Sequence, residues 1–256
     1  MTIIPVTAAT INAALPSVKA GDTLEFGGDF PTRWGTSKIS APGVTFDFRK
    51  AGKLAYLEFA DLDSPTFLGG TFYPMGLSAG LGVSRARKAV FDGQRVFGTV
   101  GEGYGLNLMD MDGLVVRNFA ADLVRGGIKC TRVQNFDLYD MQTSRVGADG
   151  VFLAASHHGA VRRYAHYGTE VVGASHADAV QCANPTTTTE MCHDILFEDI
   201  DVIGPTQGIL VKKGSDFIAR RVNVANSFPI GIGIYNSPNV TIECCRVRTL
   251  PTATAQ

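Results

Sequence analysis

No segment of the 256-residue sequence reaches the roughly 18 consecutive apolar residues that a membrane-spanning helix needs, so membrane insertion through helices is excluded. Charge of one sign is missing too. With 23 basic against 24 acidic side chains the net charge is −1, which leaves no basic footprint for phosphate backbones and excludes nucleic acid as a partner. The first basic side chain is Lys19, so the N-terminus has no charged leader region. The expectation is synthesis in the cytoplasm, as for a phage particle component, or secretion with the signal already removed. Charged residues make up only 18% of the chain against 45% hydrophobic, which excludes disorder and implies a large buried interior. Cys130, Cys182, Cys192, Cys244 and Cys245 are an odd number without a CxxC pair, which argues against zinc ribbons and thiol redox chemistry and for buried free thiols.

What is present is repetition. A pattern of apolar, any, apolar, any, any, apolar returns as Leu114-Val116-Phe119, Phe136-Leu138-Met141, Ile195-Phe197-Ile200, Phe217-Ala219-Val222 and Val240-Ile242-Cys245. A second series, usually just after glycine, runs Leu106-Leu108, Ile128-Cys130, Val151-Leu153, Val180-Cys182, Ile209-Val211 and Ile232-Ile234, in steps of 22, 23, 29, 29 and 23 residues. Each repeat holds two short alternating strands and no helix-length segment. A unit this short cannot bury its own apolar face and must stack on its neighbours. Leucine-rich repeats need recurring Leu and a fixed Asn, and propeller blades need about 40 residues. The remaining solution is all-β, a single-stranded right-handed parallel β-helix whose coils lie about 4.8 Å apart.

Ile11, Ala14, Leu15 and Val18 recur at helical spacing, which predicts a short N-terminal capping helix. One domain is expected, with a cap over about 7–20, coils over about 21–248 and a tail over 249–256. Thr10-Ile11-Asn12-Ala13-Ala14-Leu15, Gly21-Asp22-Thr23-Leu24 and Ala41-Pro42-Gly43-Val44 followed by Phe46 and Phe48 resemble the pectate-lyase-like superfamily of right-handed parallel β-helices over nearly the whole chain. That superfamily includes lyases, hydrolases, epimerases, tailspikes and inert adhesins, so the resemblance implies the fold and leaves the activity open.

Two features single out a site. Past Val161 the positions expected to be apolar read Arg163 and His166, and all five histidines, His157, His158, His166, His176 and His193, fall in this region with Arg162, Tyr164 and Tyr167. No HExxH or similar ligand spacing accompanies them, so no metal is assigned. The second feature is a column: two places before the first apolar residue of successive coils stand Asp149, Asp178 and Gln207. At coil spacing the two carboxylates lie about 5 Å apart, close enough for one pKa to rise and the other to fall. Glycosidic cleavage uses such a division, one group protonating the leaving oxygen and the other serving as base or nucleophile. Asp149 before Gly150 is also a common turn residue, an explanation weaker for Asp178, which precedes Ala179.

This column also resembles polygalacturonases, family 28 of the glycoside hydrolases. Gly147-Ala148-Asp149-Gly150-Val151 is similar to that family's Asn-Thr-Asp-Gly motif, His176-Ala177-Asp178-Ala179-Val180 to its Asp-Asp pair, and Gln207-Gly208-Ile209 to its Gly-His-Gly. Ala177 replaces one acid, Gln207 stands where the family has His, and Gly233-Ile234-Tyr235 where it has Arg-Ile-Lys. Three function classes remain open. The first is a hydrolase on a long polysaccharide, with Asp149, Asp178 and His176 at the reacting bond and Arg163, Tyr164, His166, Tyr167, Gln181, Gln207 and Lys212 contacting sugar. The second is a uronate lyase or C5-epimerase, with His158, His166, Tyr167 or Lys212 as base, Arg162, Arg163 or Lys213 neutralising the carboxylate, and Ca²⁺ as the one cofactor to consider. The third is a glycan-binding tailspike or adhesin. The partner is a polysaccharide in each.

Cys130 and Cys182 fall two coils apart, about 9.6 Å, beyond the roughly 7 Å Cα limit of a disulfide. No second cap follows Val240-Ile242-Cys245, so the last coil is expected to be covered by a homo-oligomeric partner, with a trimer the first to test, or by Pro251–Gln256 folding back.

Overall fold

The computed structural model describes residues 1–36, 39–74, 76, 78–99, 101–170, 177–183, 190–226 and 230–250. Its strands form one parallel solenoid of about ten coils. The repeats read from the sequence are its rungs. Leu106, Ile128, Val151, Val180, Ile209 and Ile232 are successive partners on the first face. Leu114, Phe136, Gly159, Ile195, Phe217 and Val240 are partners on the second, and Phe119, Met141, Tyr164, Ile200 and Val222 on the third.

Between the second and third faces the chain turns at one residue with positive φ: Asn118, Asp140, Arg163, Asp199, Arg221 and Cys244. This is the physical content of the two adjacent free positions in the repeat. A left-handed residue consumes a position and resets which side chains point inward. The interior is a continuous ladder of Val, Ile, Leu, Phe and Cys, in which Phe67 lies between Phe46 and Phe91, stacked at 4.8 and 4.6 Å.

The cap is shorter than expected, an α-helix over Ile11–Ala14 continued as a 3₁₀ turn over Leu15–Ser17, with Ile11 buried. A strand, Ile3–Val6, precedes it and pairs in parallel with Thr23–Phe26, so pairing begins ahead of the cap. All five cysteines are free, and Cys130 and Cys182 flank Leu153 on successive rungs, the register anticipated. Among the described residues no helix is long and apolar enough to cross a membrane. The last described strands, Val240–Glu243 and Arg246–Thr249, leave Ile242 and Val247 more than half exposed, and residues 251–256 lie outside the described residues.

Candidate active site

Asp149 and Asp178 arrive at the start of the first face on consecutive coils, held by the ladder between Val151–Ala154 and Asp178–Ala183. The Asp178 backbone N–H donates to Asp149 Oδ1 at 3.1 Å. Gln181 Nε2 donates to Asp178 Oδ2 at 2.6 Å. Asp149 is 7% exposed and Asp178 not at all. Burial pushes the Asp149 carboxyl up to about 7, helped by the Asp178 charge and opposed by the hydrogen bond from Asp178 and by Lys212 and Arg125. Burial pushes Asp178 up to about 6, against the hydrogen bond from Gln181 and the Lys212 charge. The two carboxyls therefore share a proton near neutrality, the charge of whichever ionises holding the proton on the other. Asp178 Oδ1 and, on the next coil, Gln207 Oε1 are buried without a hydrogen-bond partner. Buried acceptors left unmet cost about 1–3 kcal/mol each, a cost typical of sites that act on something else.

The backbone under Asp149 is fixed from inside. A Cβ on Gly150 would lie 1.9 Å from the Tyr164 hydroxyl and 2.8 Å from His166 Nδ1, so only glycine fits. Thr143 Oγ1 meets His166 Nδ1 at 2.8 Å and also bonds the Tyr164 hydroxyl, which donates to the Ala179 carbonyl at 3.3 Å. These groups form a polar knot between the two aspartate-bearing coils.

Tyr164 and His166, expected on the outer face in contact with sugar, are instead sealed inside, at 1% and 0% exposure. Arg163 and His166 depart from the apolar pattern, yet His157–Thr169 keeps its ladder pairing with both neighbouring coils. Arg163 is the corner residue, φ 46°, and by resetting the alternation it turns Tyr164 and His166 inward in register with Met141 and Thr143. Burial pushes the His166 imidazole down to about 3, so it is neutral, and its Nε2 is unpartnered.

The other expected residues divide. Gln181 joins the pair but orients Asp178, Gln207 stacks on Asp178, and Lys212 stands exposed on the same face with its charge acting on both aspartates. Arg163 is ion-paired to Asp140 at the corner between the second and third faces, and Tyr167 is exposed on the third. Neither is brought to the pair. His176 lies outside the described residues.

Sequence reasoning missed Tyr104, Arg125 and Lys129. Tyr104 stands in the column of Gly126 and Asp149, and the Asp149 charge, after burial, helps raise its phenol pKa. Arg125 and Lys129 lie over its ring at 5.9 and 5.5 Å. The signal was available: Tyr104 lies two places before Leu106, the offset that picks out Asp149. Among the described residues Arg125, Lys129 and Lys212 make no ion pair, whereas Arg132, Arg145, Arg162 and Arg163 are each tied to an aspartate. Ca²⁺ takes about six to eight oxygens. The pair and Gln207 would supply part of such a set through Asp178 Oδ1 and Gln207 Oε1, the oxygens that accept no hydrogen bond from the protein. A separate cluster, His157, His158 and His193, brings ligand atoms within 4.8 Å of one another.

No family model and no curated protein matches the chain. Solved structures do. An alginate lyase from Paenibacillus sp. is 12% identical over 96% of this chain and 99% of its own, with a TM-score of 0.56. The A-module of a mannuronan C-5 epimerase from Azotobacter vinelandii is 14% identical over 93% and 70%, TM-score 0.58. A polygalacturonase from Erwinia carotovora is 11% identical over 100% and 95%, TM-score 0.54. At these identities the likeness establishes the fold alone, a right-handed parallel β-helix.

Proposed function

We propose that the chain is a carbohydrate-active enzyme that hydrolyses a glycosidic bond in an acidic polysaccharide lying across its coils. The observation that carries this reading is the buried Asp149–Asp178 pair, held together by the Asp178 N–H hydrogen bond to Asp149 Oδ1 and with both carboxyls raised by burial. Asp149, the one with exposed surface, protonates the leaving glycosidic oxygen. Asp178, wholly buried with Oδ1 accepting no hydrogen bond from the protein, takes a proton from the attacking water once water and substrate have entered the site. Water adds across the cleaved C–O bond, and the proton exchanged between the carboxyls restores the pair. The unpaired cations Arg125, Lys129 and Lys212 favour a uronate-bearing chain over a neutral one. The three similar solved structures are named for alginate, mannuronan and polygalacturonate chemistry, which agrees with this class of substrate.

A second reading rests on the same cations. Around Tyr104 they would neutralise a uronate carboxylate and acidify the adjacent proton, as β-elimination or epimerisation requires. The assay is product analysis on polygalacturonate, alginate and a neutral glucan. Reducing ends without ultraviolet absorbance, lost on Asp178→Asn, support hydrolysis. An unsaturated, ultraviolet-absorbing product assigns the lyase reading, and tight binding without product from any polymer assigns a binding role.

A further inference from the structure

We propose that His157, His158 and His193 form a site for a divalent late transition-metal ion of the zinc type, its fourth position open to water, that clips two successive coils together. The cluster sits where the chain leaves the first face, at the opposite end of the Val151–Ala154 strand from Asp149. His157 and His193 are direct ladder partners, and their rings stack at 4.5 Å, 5° from parallel. His158 meets both edge-on, with its Nδ1 2.7 Å from that of His157. One Asp194 carboxylate oxygen, Oδ2, lies 2.7 Å from His193 Nδ1 and 3.2 Å from His158 Nε2.

Three imidazoles with a fourth position left to water are a ligand set that suits zinc. Tetrahedral bonds of about 2.0–2.1 Å place ligand atoms about 3.3 Å apart. The three ring atoms fall within 4.8 Å of one another, so modest side-chain rotation reaches that geometry with no change in the paired backbone. His158 and Asp194 are at least one-third exposed, which leaves an entry path.

The turn itself does not ask for imidazole. Equivalent positions to His158 hold Asn135, Asp194, Asp216 and Asn239, all with positive φ, and the asparagines bridge to the neighbouring coil, Asn135 to Asp112 at 2.7 Å and Asn239 to Asp216 at 2.9 Å. His157 and His193 stand in a column with Gln134 and Ser215. An asparagine and two small polar residues would build this corner, and the three rings add nitrogen ligands at one point. The clip would tie residues 158 and 193 together across the segment that carries Asp178 and so lower the conformational entropy of the unfolded chain.

The test uses the untagged full chain treated with a chelator. Titration calorimetry is expected to show one zinc per chain, and cobalt to give visible bands of tetrahedral intensity. His193→Ala and His157→Ala should weaken zinc binding by at least about tenfold and abolish the zinc-dependent rise in Tm. His158→Asn, the residue that neighbouring coils use, guards against a folding artefact: with an unchanged circular dichroism spectrum it should also lose affinity. Absence of stoichiometric zinc and cobalt binding by the native chain overturns the site. So does zinc affinity unchanged in folded His158→Asn and His193→Ala.

Discussion

Asp178 donates its backbone N–H to the Asp149 carboxylate at 3.1 Å although 29 residues separate them. The coil between them is longer than most, yet the ladder from Val151 to Ala154 against Val180 to Ala183 keeps the register, so the extra length is absorbed away from the paired strand. The result is two buried carboxyl groups at one corner with one proton to share near neutrality. The polar knot of Thr143, Tyr164 and His166 beneath Gly150 keeps that corner from relaxing.

Asp178→Asn and Asp149→Asn should each lower kcat on the cleaved polysaccharide by about 10²–10⁴-fold, the usual contribution of a positioned acid or base. Asparagine keeps an acceptor for the Asp178 N–H, so Tm near pH 5 should change little. Equal activity of either variant and the native chain removes the pair from the mechanism.

The same pair predicts a pH dependence of stability. An unfolded aspartate ionises near its ordinary value of 3.8, whereas the folded groups hold their protons to about 6 and about 7. Between those limits the folded state binds more protons than the unfolded state. The contribution is therefore fully present below about pH 4 and is lost as pH rises through 6 and 7. Asp149→Asn removes the cost of ionising this site, so it should gain on the order of 2–4 kcal/mol over the native chain at pH 8 and nothing at pH 4. Denaturant unfolding at the two pH values checks this, and a difference that does not grow with pH contradicts the burial argument.

The fold was legible because a solenoid writes its register into the sequence: Leu106, Ile128, Val151, Val180, Ile209 and Ile232 were read as equivalent and are ladder partners. The aspartate column was legible for the same reason. Tyr164 and His166 were misplaced because strict alternation was carried through Arg163, where a left-handed residue resets it. Inward polar residues look like outward ones by composition, and only the corner count separates them. The histidine cluster was visible as an excess of histidine, but its ligands come from adjacent and ladder-paired positions, a spacing that no linear motif records.

Gly150→Ala should destabilise the chain by about 1–3 kcal/mol, since its methyl group would meet the Tyr164 hydroxyl at 1.9 Å and the Ala179 carbonyl at 2.7 Å. Tyr164→Phe removes one of these obstacles. The double variant should therefore be more stable than the sum of the two single changes allows, with a coupling of about 0.5–2 kcal/mol. Strict additivity in the unfolding cycle argues that the hydroxyl is not what enforces glycine.

Thiol labelling should sort the cysteines by depth. Cys244 is exposed and Cys245 partly so, whereas Cys130, Cys182 and Cys192 are buried, and burial raises the Cys130 and Cys182 thiols well above their ordinary range. Under native conditions an alkylating reagent should modify Cys244 first and leave Cys130 and Cys182 untouched until unfolding. Mass spectrometry of the labelled peptides reads the order, and early modification of Cys182 contradicts its place in the interior.

Lys212→Met isolates electrostatics from chemistry. The Lys212 charge lowers the proton affinity of both aspartates, and the side chain itself is exposed, so its loss removes a field and little packing. On the proposed hydrolysis the productive form has Asp178 ionised and Asp149 protonated, which places a bell-shaped rate profile between limbs near 6 and 7. Without the ammonium both groups bind their protons more tightly. The acid limb, set by ionisation of Asp178, moves to higher pH, and the alkaline limb, set by loss of the Asp149 proton, moves the same way. The whole profile should shift upward by a fraction of a pH unit, on the order of what one cation contributes across a partly solvated gap. KM for a uronate polymer should rise at the same time if, as proposed, Lys212 also neutralises substrate charge. A profile that stays in place while KM rises would assign Lys212 to substrate binding alone and separate it from the aspartate pair.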